Sequence, residues 1–286
     1  MSAPTRQNLL TGADQLARSL GDPRLRILDC RFDLMAPEAG REAWLEAHIP
    51  GAVYADLDKD LSGPVRRDTG RHPLPKPERA VETFSRLGID GGTKVVVYDD
   101  SGGAIASRAW WLLRWLGHRK VTVLDGGLQA WRSRNPALES GAKEVARRDF
   151  VPSPGAPRVL TSEDIGADRD FALIDARDAA RFRGESEPID AKAGHIPGSK
   201  NLPYVDCLDE DGTWRDAQSL RERLQSLLGD DQSAPWAVMC GSGVTACHLA
   251  ISGLLAGYSE PGVYVGSWSE WIRDPSRPIG CGSGNR

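Results

Sequence analysis

The chain has 286 residues, which is enough for about two domains of ordinary size. Hydrophobic residues make up 40% of it and charged residues 27%, a balance typical of a globular protein, so an intrinsically disordered chain is excluded. There are 36 Lys and Arg residues against 40 Asp and Glu residues, and the net charge of −4 argues against a nucleic-acid partner, which usually requires a basic domain or stripe.

The hydrophobic stretches are too short for membrane insertion. Residues 109–116 are interrupted by Arg114, and residues 248–256 fall well short of the roughly 18 apolar residues of a spanning helix. The N-terminal residues contain no apolar segment of the kind found in a signal peptide. Five cysteines, without the spacing of a small disulfide-rich scaffold, indicate free thiols in a reducing compartment. The sequence therefore predicts a cytoplasmic protein with no membrane partner.

Predicted strands and helices alternate along both halves of the chain. The T-x-x-D pattern of a capping box, which marks helix starts, occurs at residues 11–14 and 161–164. Short apolar runs without strict alternation are typical of strands buried on both faces, and they occupy residues 25–30, 95–99, 121–124, 172–175, 237–240 and 263–265. Helices are predicted over residues 107–116 and 244–256, each followed by a glycine, Gly117 or Gly257. This order predicts an α/β fold with a parallel sheet in each half.

The same motifs occur twice, in the same order, about half a chain length apart. HIPG occupies residues 48–51 and again residues 195–198, while ILDCR at residues 27–31 returns as LIDAR at residues 173–177. Ordered repetition of this kind indicates a duplicated domain. We predict a first domain over residues 1–140, a second over residues 159–286, and between them a linker, residues 141–158, that contains Pro152, Pro154 and Pro157.

Cys240 is the strongest candidate for a catalytic residue. It begins the sequence CGSGVTA at residues 240–246, where a predicted strand leads through a turn of small residues into a predicted helix. Gly241 and Gly243 allow a tight turn in which successive backbone N–H groups converge on one point. Those N–H groups and the positive helix end would stabilise a thiolate, and ligands bind at this edge of a parallel sheet. We therefore predict a nucleophile here rather than a buried structural cysteine.

Other roles for Cys240 are incompatible with the residues next to it in the sequence. A Cys-x5-Arg phosphatase loop requires an arginine where Ala246 stands, and the Gly-Lys-Ser/Thr of a nucleotide-binding P-loop is missing. A disulfide between Cys240 and Cys247 would have to span about two helical turns, which exceeds the ~7 Å limit on its Cα separation. Cys247 and His248 lack the spacing of zinc ligands, so we predict that both pack within the helix.

The sequence CGSGVTA, the repeated HIPG, FRG at residues 182–184 and GSWSEW at residues 266–271 together resemble the two-domain sulfurtransferases of the rhodanese family. The resemblance covers nearly the whole chain and implies tandem rhodanese-like domains, of which only the second is catalytic. Alignment of the repeats places Asp99 opposite Cys240, and an aspartate cannot carry sulfur. The loop is most similar to the 3-mercaptopyruvate branch, because the thiosulfate branch typically has Arg and Lys in place of Gly241 and Ser242.

The resemblance also implies roles for residues outside the loop. Arg181 corresponds to the family's substrate-binding arginine, whose planar guanidinium group suits a carboxylate or a sulfonate. Ser242, His72 and Asp58 correspond to a proton-handling group in the mercaptopyruvate branch, with His72 and Asp58 in the first domain. Residues 187–190 lack the second arginine that mercaptopyruvate enzymes usually carry just before HIPG, which predicts weaker binding of that substrate.

The predicted mechanism is a double displacement. Cys240 takes the outer sulfur of a small anionic donor as a persulfide and passes it to a thiol, cyanide or thioredoxin-like acceptor. The loop binds the substrate sulfur through residues that offer backbone N–H groups or a hydroxyl, namely Gly241, Gly243, Val244 and Thr245. This chemistry needs no metal and no organic cofactor. The sequence leaves the oligomeric state open and is compatible with a monomer.

Two alternative functions remain open from the sequence. One is transfer of sulfur from thiosulfate to cyanide. The other is a persulfide carrier or binding module that delivers sulfur to a protein partner with little small-molecule turnover. The complete cysteine loop, together with Arg181, His72 and Asp58, favours the enzyme. Residues that recur in both halves, His48 with His195 and Asp29 with Asp175, are predicted to be structural.

Overall fold

Two sheets, each of five parallel strands, form the framework of the part of the chain that the structure describes. The computed structural model describes residues 5–135, 137–153, 157–166 and 169–283. Helices flank both sheets, so the predicted α/β fold with two similar halves is confirmed.

The first sheet is built from β1 (Leu10–Thr11), β2 (Leu25–Asp29), β3 (Ala52–Tyr54), β4 (Lys94–Tyr98) and β5 (Val121–Leu124). Its helices are α1 (Arg6–Leu9), α2 (Ala13–Ser19), α3 (Ala39–Glu46), α4 (Pro77–Arg86), α5 (Ala106–Trp115) and α6 (Gly127–Arg134). The strand order is β1-β5-β4-β2-β3, with β4 in the middle.

The second sheet repeats this topology with β6 (Val159–Leu160), β7 (Ala172–Asp175), β8 (Lys200–Asn201), β9 (Trp236–Met239) and β10 (Gly262–Tyr264). Its helices are α7 (Ala179–Arg183), α8 (Ala217–Leu228), α9 (Thr245–Leu255) and α10 (Ser267–Trp271), with a 3₁₀ turn over Tyr204–Cys207. The strand order is β6-β10-β9-β7-β8, so β9 occupies the position that β4 has in the first sheet.

The predicted strands and helices agree with the structure to within about two residues at each end. The six predicted strands are β2, β4, β5, β7, β9 and β10, and the two predicted helices are α5 and α9. Gly117 and Gly257 have φ angles of 86° and 91°, the left-handed conformation that a helix end with glycine favours.

Neither of the two predicted capping boxes forms, although a helix, α2, does begin at the first site. The Thr11 hydroxyl bonds that of Thr122 at 2.5 Å, and α2 begins after Gly12 without a side-chain cap. At the second site the Asp164 carboxylate accepts the backbone N–H of Thr161 at 2.8 Å, yet residues 162–165 form only a turn. A glycine follows immediately at position 166, and glycine disfavours continuation into a helix.

A shared hydrophobic core connects the two halves. α5 and α9 pack against each other, and the largest cluster of buried apolar side chains contains residues from both sheets. Two smaller clusters cover the outer faces, one around Trp131 and the other around Trp268. None of the helices within the described ranges is long and apolar enough to cross a lipid bilayer.

The segment predicted as a linker contains no helix or strand over residues 141–153. Phe150 is buried within it and packs on Phe84, with ring centroids 5.8 Å apart, so this part of the chain lies against the first half. Pro154 lies outside the described residues. The domain boundaries at residues 140 and 159 stay predictions.

Candidate active site

Cys240 directly follows β9, the middle strand of the second sheet, and α9 begins five residues later. The backbone N–H of Gly243 donates to the Cys240 sulfur over 3.1 Å. Gly243 has a φ of 78°, and a Cβ atom there would lie 2.3 Å from the Val265 carbonyl oxygen, so the turn requires glycine. The loop thus curls back over its own cysteine, as the glycine spacing predicts.

A second turn, at the start of α10, supports the cysteine loop through hydrogen bonds to its backbone. The Ser267 hydroxyl accepts the backbone N–H of Cys240 at 3.0 Å and donates to the Tyr264 carbonyl at 2.8 Å. Backbone N–H groups of the next two residues, 268 and 269, donate to the Cys240 and Gly241 carbonyls. Ser267 has a φ of 54°, rare for a residue with a side chain, and these bonds hold it there.

Asp99 occupies in the first half the place that Cys240 occupies in the second. It directly follows β4, and its carbonyl accepts the N–H of Leu128 at 2.9 Å, as the Cys240 carbonyl accepts that of Trp268 at 3.0 Å. The buried Asp99 carboxylate accepts four backbone N–H bonds of 2.8–2.9 Å, from Ser101, Gly103, Ile105 and Ala106. The turn that follows the middle strand therefore acts as an anion-binding nest.

The corresponding turn after Cys240 is open. The backbone N–H groups of Ser242, Val244 and Thr245 have no acceptor within the described parts of the chain. Gly241, Val244 and Thr245 line a cavity in front of the cysteine. These N–H groups are therefore available to an anion bound next to the sulfur.

Ser242, His72 and Asp58 form a hydrogen-bonded chain across the two halves. The Ser242 hydroxyl lies 2.7 Å from His72 Nδ1, and His72 Nε2 lies 3.3 Å from Asp58 Oδ1. His72 is buried, whereas the Asp58 side chain is 45% exposed. Burial lowers the pKa of His72 against the opposing effect of Asp58, and the contact with His72 lowers the pKa of Asp58. The resting chain therefore contains a neutral imidazole and an ionised carboxylate.

Arg181 lies at the same cavity, in the last turn of α7. Its Nη2 atom contacts Glu187 at 2.7 Å and Asp190 at 3.0 Å, and both carboxylates are nearly buried. Asp190 also forms an ion pair with Arg71, which comes from the first half. The two guanidinium groups thus share one carboxylate beside the cysteine loop.

The cavity itself has a volume of about 270 Å³ and is lined by both halves. Polar groups meet at its inner end around Cys240, and apolar side chains form much of its wall, namely Phe32, Leu34, Leu57, Ile105, Ile189 and Tyr204. Larger surface clefts of about 560 and 630 Å³ are lined by no cysteine or histidine. Within the described ranges, no three His, Cys, Asp or Glu side chains converge as a metal site would require.

Comparison with known proteins identifies the family to which the chain belongs. The model of the rhodanese-like domain matches residues 12–134 and again residues 161–274, which together are most of the chain. The chain belongs to the rhodanese-like family. Its two halves are tandem rhodanese-like domains, as the sequence resemblance implied.

Individual relatives extend over almost the full length of this rhodanese-like chain. A Pseudomonas aeruginosa protein named "Probable 3-mercaptopyruvate sulfurtransferase" is 47% identical, over 96% of this chain and 98% of its own. The rat thiosulfate sulfurtransferase is 34% identical, over 88% of this chain and 86% of its own. The crystal structure of the 3-mercaptopyruvate sulfurtransferase SseA from Escherichia coli superposes with a TM-score of 0.80 at 32% identity, covering 93% of this chain and all of that one.

The remaining cysteines of the rhodanese-like domains do not line the cavity, although the Cys247 thiol donates to the Gly243 carbonyl of the cysteine loop at 3.4 Å. None of the five cysteines forms a disulfide; Cys30, Cys207 and Cys247 are buried and Cys281 is exposed. Cys247 and His248 are both buried in α9, as predicted.

Sequence reasoning missed two arginines at the site. Arg71 immediately precedes His72, and that adjacency was the available signal. Arg108 in α5 is fully buried and donates to the carbonyls of His72 at 3.3 Å and Gly243 at 3.2 Å. It therefore connects the loop that carries the histidine with the loop that carries Cys240, a connection that no local pattern indicates.

Proposed function

We propose that the chain is a sulfurtransferase that moves the sulfur of 3-mercaptopyruvate to an acceptor through a persulfide on Cys240. The observation that carries the proposal is the pair of equivalent turns. One turn stabilises the Asp99 carboxylate with four backbone N–H groups, and the other has a thiol in that place with N–H groups available. A turn that stabilises a carboxylate in one half suits the negative charge of a persulfide in the other.

In the first step the Cys240 thiolate attacks the sulfur of mercaptopyruvate. A sulfur–sulfur bond forms, the carbon–sulfur bond of the donor breaks, and its electron pair moves to carbon to give the enolate of pyruvate. The proton lost by the donor thiol is returned to that carbon, so the products are the persulfide and pyruvate, and no oxidant or reductant is consumed. Arg181 binds the donor carboxylate with its planar guanidinium group.

The donor thiol loses its proton through Ser242 and His72. Donation by His72 Nε2–H to Asp58 assigns the tautomer in which Nδ1 accepts the proton of the Ser242 hydroxyl. The lowered pKa of His72 keeps the imidazole neutral at pH 7 and ready to accept a proton. Asp58 then stabilises the imidazolium ion that forms.

In the second step the acceptor attacks the outer sulfur, and Cys240 leaves as a thiolate. A small thiol, cyanide or a thioredoxin-like protein serves as the acceptor, and the reaction uses no metal or organic cofactor. The first domain, residues 1–140, transfers no sulfur but supplies His72 and Asp58 to the second, residues 159–286. The five unpaired cysteines fit a reducing compartment, which we take to be the cytoplasm.

Thiosulfate is the second candidate donor. The two guanidinium groups beside Gly241, from Arg71 and Arg181, would suit a dianion and favour it. Thiosulfate has no thiol proton, however, and the chain Ser242–His72–Asp58 would then have no role in the transfer. Mercaptopyruvate uses both features and is therefore the donor we propose.

A steady-state comparison of the two donors, with cyanide as the acceptor, tests the proposal. We expect mercaptopyruvate to have the higher kcat/KM, with release of pyruvate. The C240S variant should lose transfer from both donors, because the intermediate requires sulfur, while C207S, which changes another buried cysteine, should retain it. Higher kcat/KM for thiosulfate would overturn the choice of donor. Persistent activity of C240S would overturn the persulfide mechanism, and negligible turnover of both donors would favour a persulfide carrier.

A further inference from the structure

Two guanidinium groups from different halves of the chain flank the cysteine loop. A Cβ atom built on Gly241 would lie 3.1 Å from Arg71 Nη2, 3.7 Å from Arg181 Nη2 and 3.8 Å from Arg181 Nη1. Arg181 belongs to the catalytic half, whereas Arg71 reaches the loop from the first half. Both side chains also line the cavity in front of Cys240.

The backbone of Arg71 is fixed on the catalytic half. Its N–H donates to the Ser269 hydroxyl at 3.1 Å, within the turn that supports Cys240. Gly70 approaches so closely that a Cβ atom there would lie 2.6 Å from the Gly266 carbonyl oxygen. On the other side, His72 bonds Ser242. Arg71 is therefore held at the site before any substrate binds, and little conformational freedom remains to be lost on binding.

Asp190 pairs with both guanidinium groups but leaves some of their donors free. It pairs with Nη1 of Arg71 and with Nη2 of Arg181. Arg71 Nη2 and Arg181 Nη1 make no hydrogen bond within the described residues, and Arg71 Nε is buried there without a partner. Unpaired guanidinium donors that face a cavity are suited to a carboxylate, which accepts several N–H bonds at once.

We propose that Arg71 is the second substrate-binding arginine and that it holds the donor carboxylate together with Arg181. This inference rests on the proposed transfer from mercaptopyruvate. The segment 187–190 supplies no arginine of its own; it supplies Asp190, which orients an arginine from the other half. The carboxylate site is thus assembled from both domains, and the first domain contributes to substrate binding as well as to proton transfer.

The variant R71Q tests this assignment, because glutamine keeps much of the side-chain length but removes the charge. We expect KM for mercaptopyruvate to rise about tenfold to hundredfold, the scale of one lost charge-assisted hydrogen bond, while kcat stays within about threefold. R71K, which keeps the charge but not the planar fork, should recover part of the loss. R67Q changes an exposed arginine of the same segment and should behave as wild type.

A sulfur donor that lacks the carboxylate distinguishes a role of Arg71 in carboxylate binding from any other effect of the substitution. Mercaptoacetone has the thiol and ketone of mercaptopyruvate but a methyl group in place of the carboxylate, so R71Q and wild type should use it with the same kcat/KM. Binding of pyruvate to the C240S protein, measured by calorimetry, should weaken by the same factor when R71Q is added. That measurement does not depend on turnover.

Three outcomes would overturn the role of Arg71. One is an unchanged KM for mercaptopyruvate in R71Q, and another is an equal loss with mercaptoacetone. The third is a fall in kcat alone, which would make Arg71 a positioning residue for His72. If R71Q does not fold, an R71K protein with wild-type KM for mercaptopyruvate would equally overturn it. Failure of wild type to release pyruvate at all would instead overturn the proposed function.

Discussion

The hydrogen bond between Ser242 and His72 joins a residue of the cysteine loop to a residue 170 positions earlier in the chain. If this contact carries the donor's proton, its loss should affect only donors that have one. We predict that S242A and H72Q lower kcat for mercaptopyruvate about 100-fold or more, the usual scale of general acid–base catalysis. Thiosulfate has no thiol proton, so its turnover by the same variants should stay within about threefold. Parallel assays of both donors check this, and equal losses would contradict the proton role.

Asp58 should matter less than His72, because its carboxylate is 45% exposed and lies 3.3 Å from the imidazole. Water can replace part of its effect on the imidazolium ion. We predict that D58N lowers kcat for mercaptopyruvate by about tenfold, less than H72Q does.

The pH profile of the wild-type enzyme adds a second check on the role of His72. Because burial lowers the pKa of His72, the midpoint of the fall in kcat/KM at acid pH should lie below 6.5, the ordinary value for histidine. A midpoint above pH 6.5 would contradict a neutral, buried imidazole.

The repeated elements have the same contacts in both halves, which explains why they also recur in the half that lacks Cys240. Arg31 pairs with Asp29 at 2.6 Å, and Arg177 pairs with Asp175 at 2.7 Å. Each arginine also donates, at 2.7 Å, to the carbonyl of the residue just before HIPG. The histidine of each HIPG is buried and bonds a backbone carbonyl through Nδ1. The prediction that these pairs are structural agrees with the geometry.

The turn at Asp99 carries a carboxylate where the equivalent turn carries the Cys240 thiol, so this carboxylate should serve stability. We predict that D99A lowers the free energy of unfolding by about 3 kcal/mol, because four buried N–H groups lose a charged acceptor. The folded fraction should retain its kcat, since Asp99 touches no substrate. D100A removes the exposed neighbouring carboxylate and should leave stability nearly unchanged. Urea denaturation of the three proteins measures the difference, and equal midpoints would contradict the assignment.

Over the whole molecule, the features that can be predicted from the sequence are those that depend on a local sequence pattern. Apolar runs marked the central strands, and glycines at positions 117 and 257 marked two helix ends. The turn of the Cys240 loop could be predicted from its motif, because the chain can reverse direction there only with glycines in the loop. Arg71 could not be assigned in this way, because its partner Asp190 is 119 residues away and is brought to it only by the packing of the two halves. Arg108 was missed for the same reason.

The shared core between the halves should make the stability of the molecule sensitive to pH through buried histidines. His248 of α9 stacks on Trp214 at 4.4 Å, and burial lowers its pKa to about 3 from 6.5. The unfolded chain therefore binds more protons between these values, and stability is lost as the pH falls below 6.5. We predict that His248 alone accounts for a loss of about 2 kcal/mol between pH 7 and pH 5. Burial lowers the pKa values of His72 and His118 as well, which adds to the loss.

Urea unfolding of wild type and H248Q at both pH values checks this: the variant should lose less stability on acidification, whatever its stability at pH 7. An equal loss in both proteins would show that His248 does not titrate on unfolding.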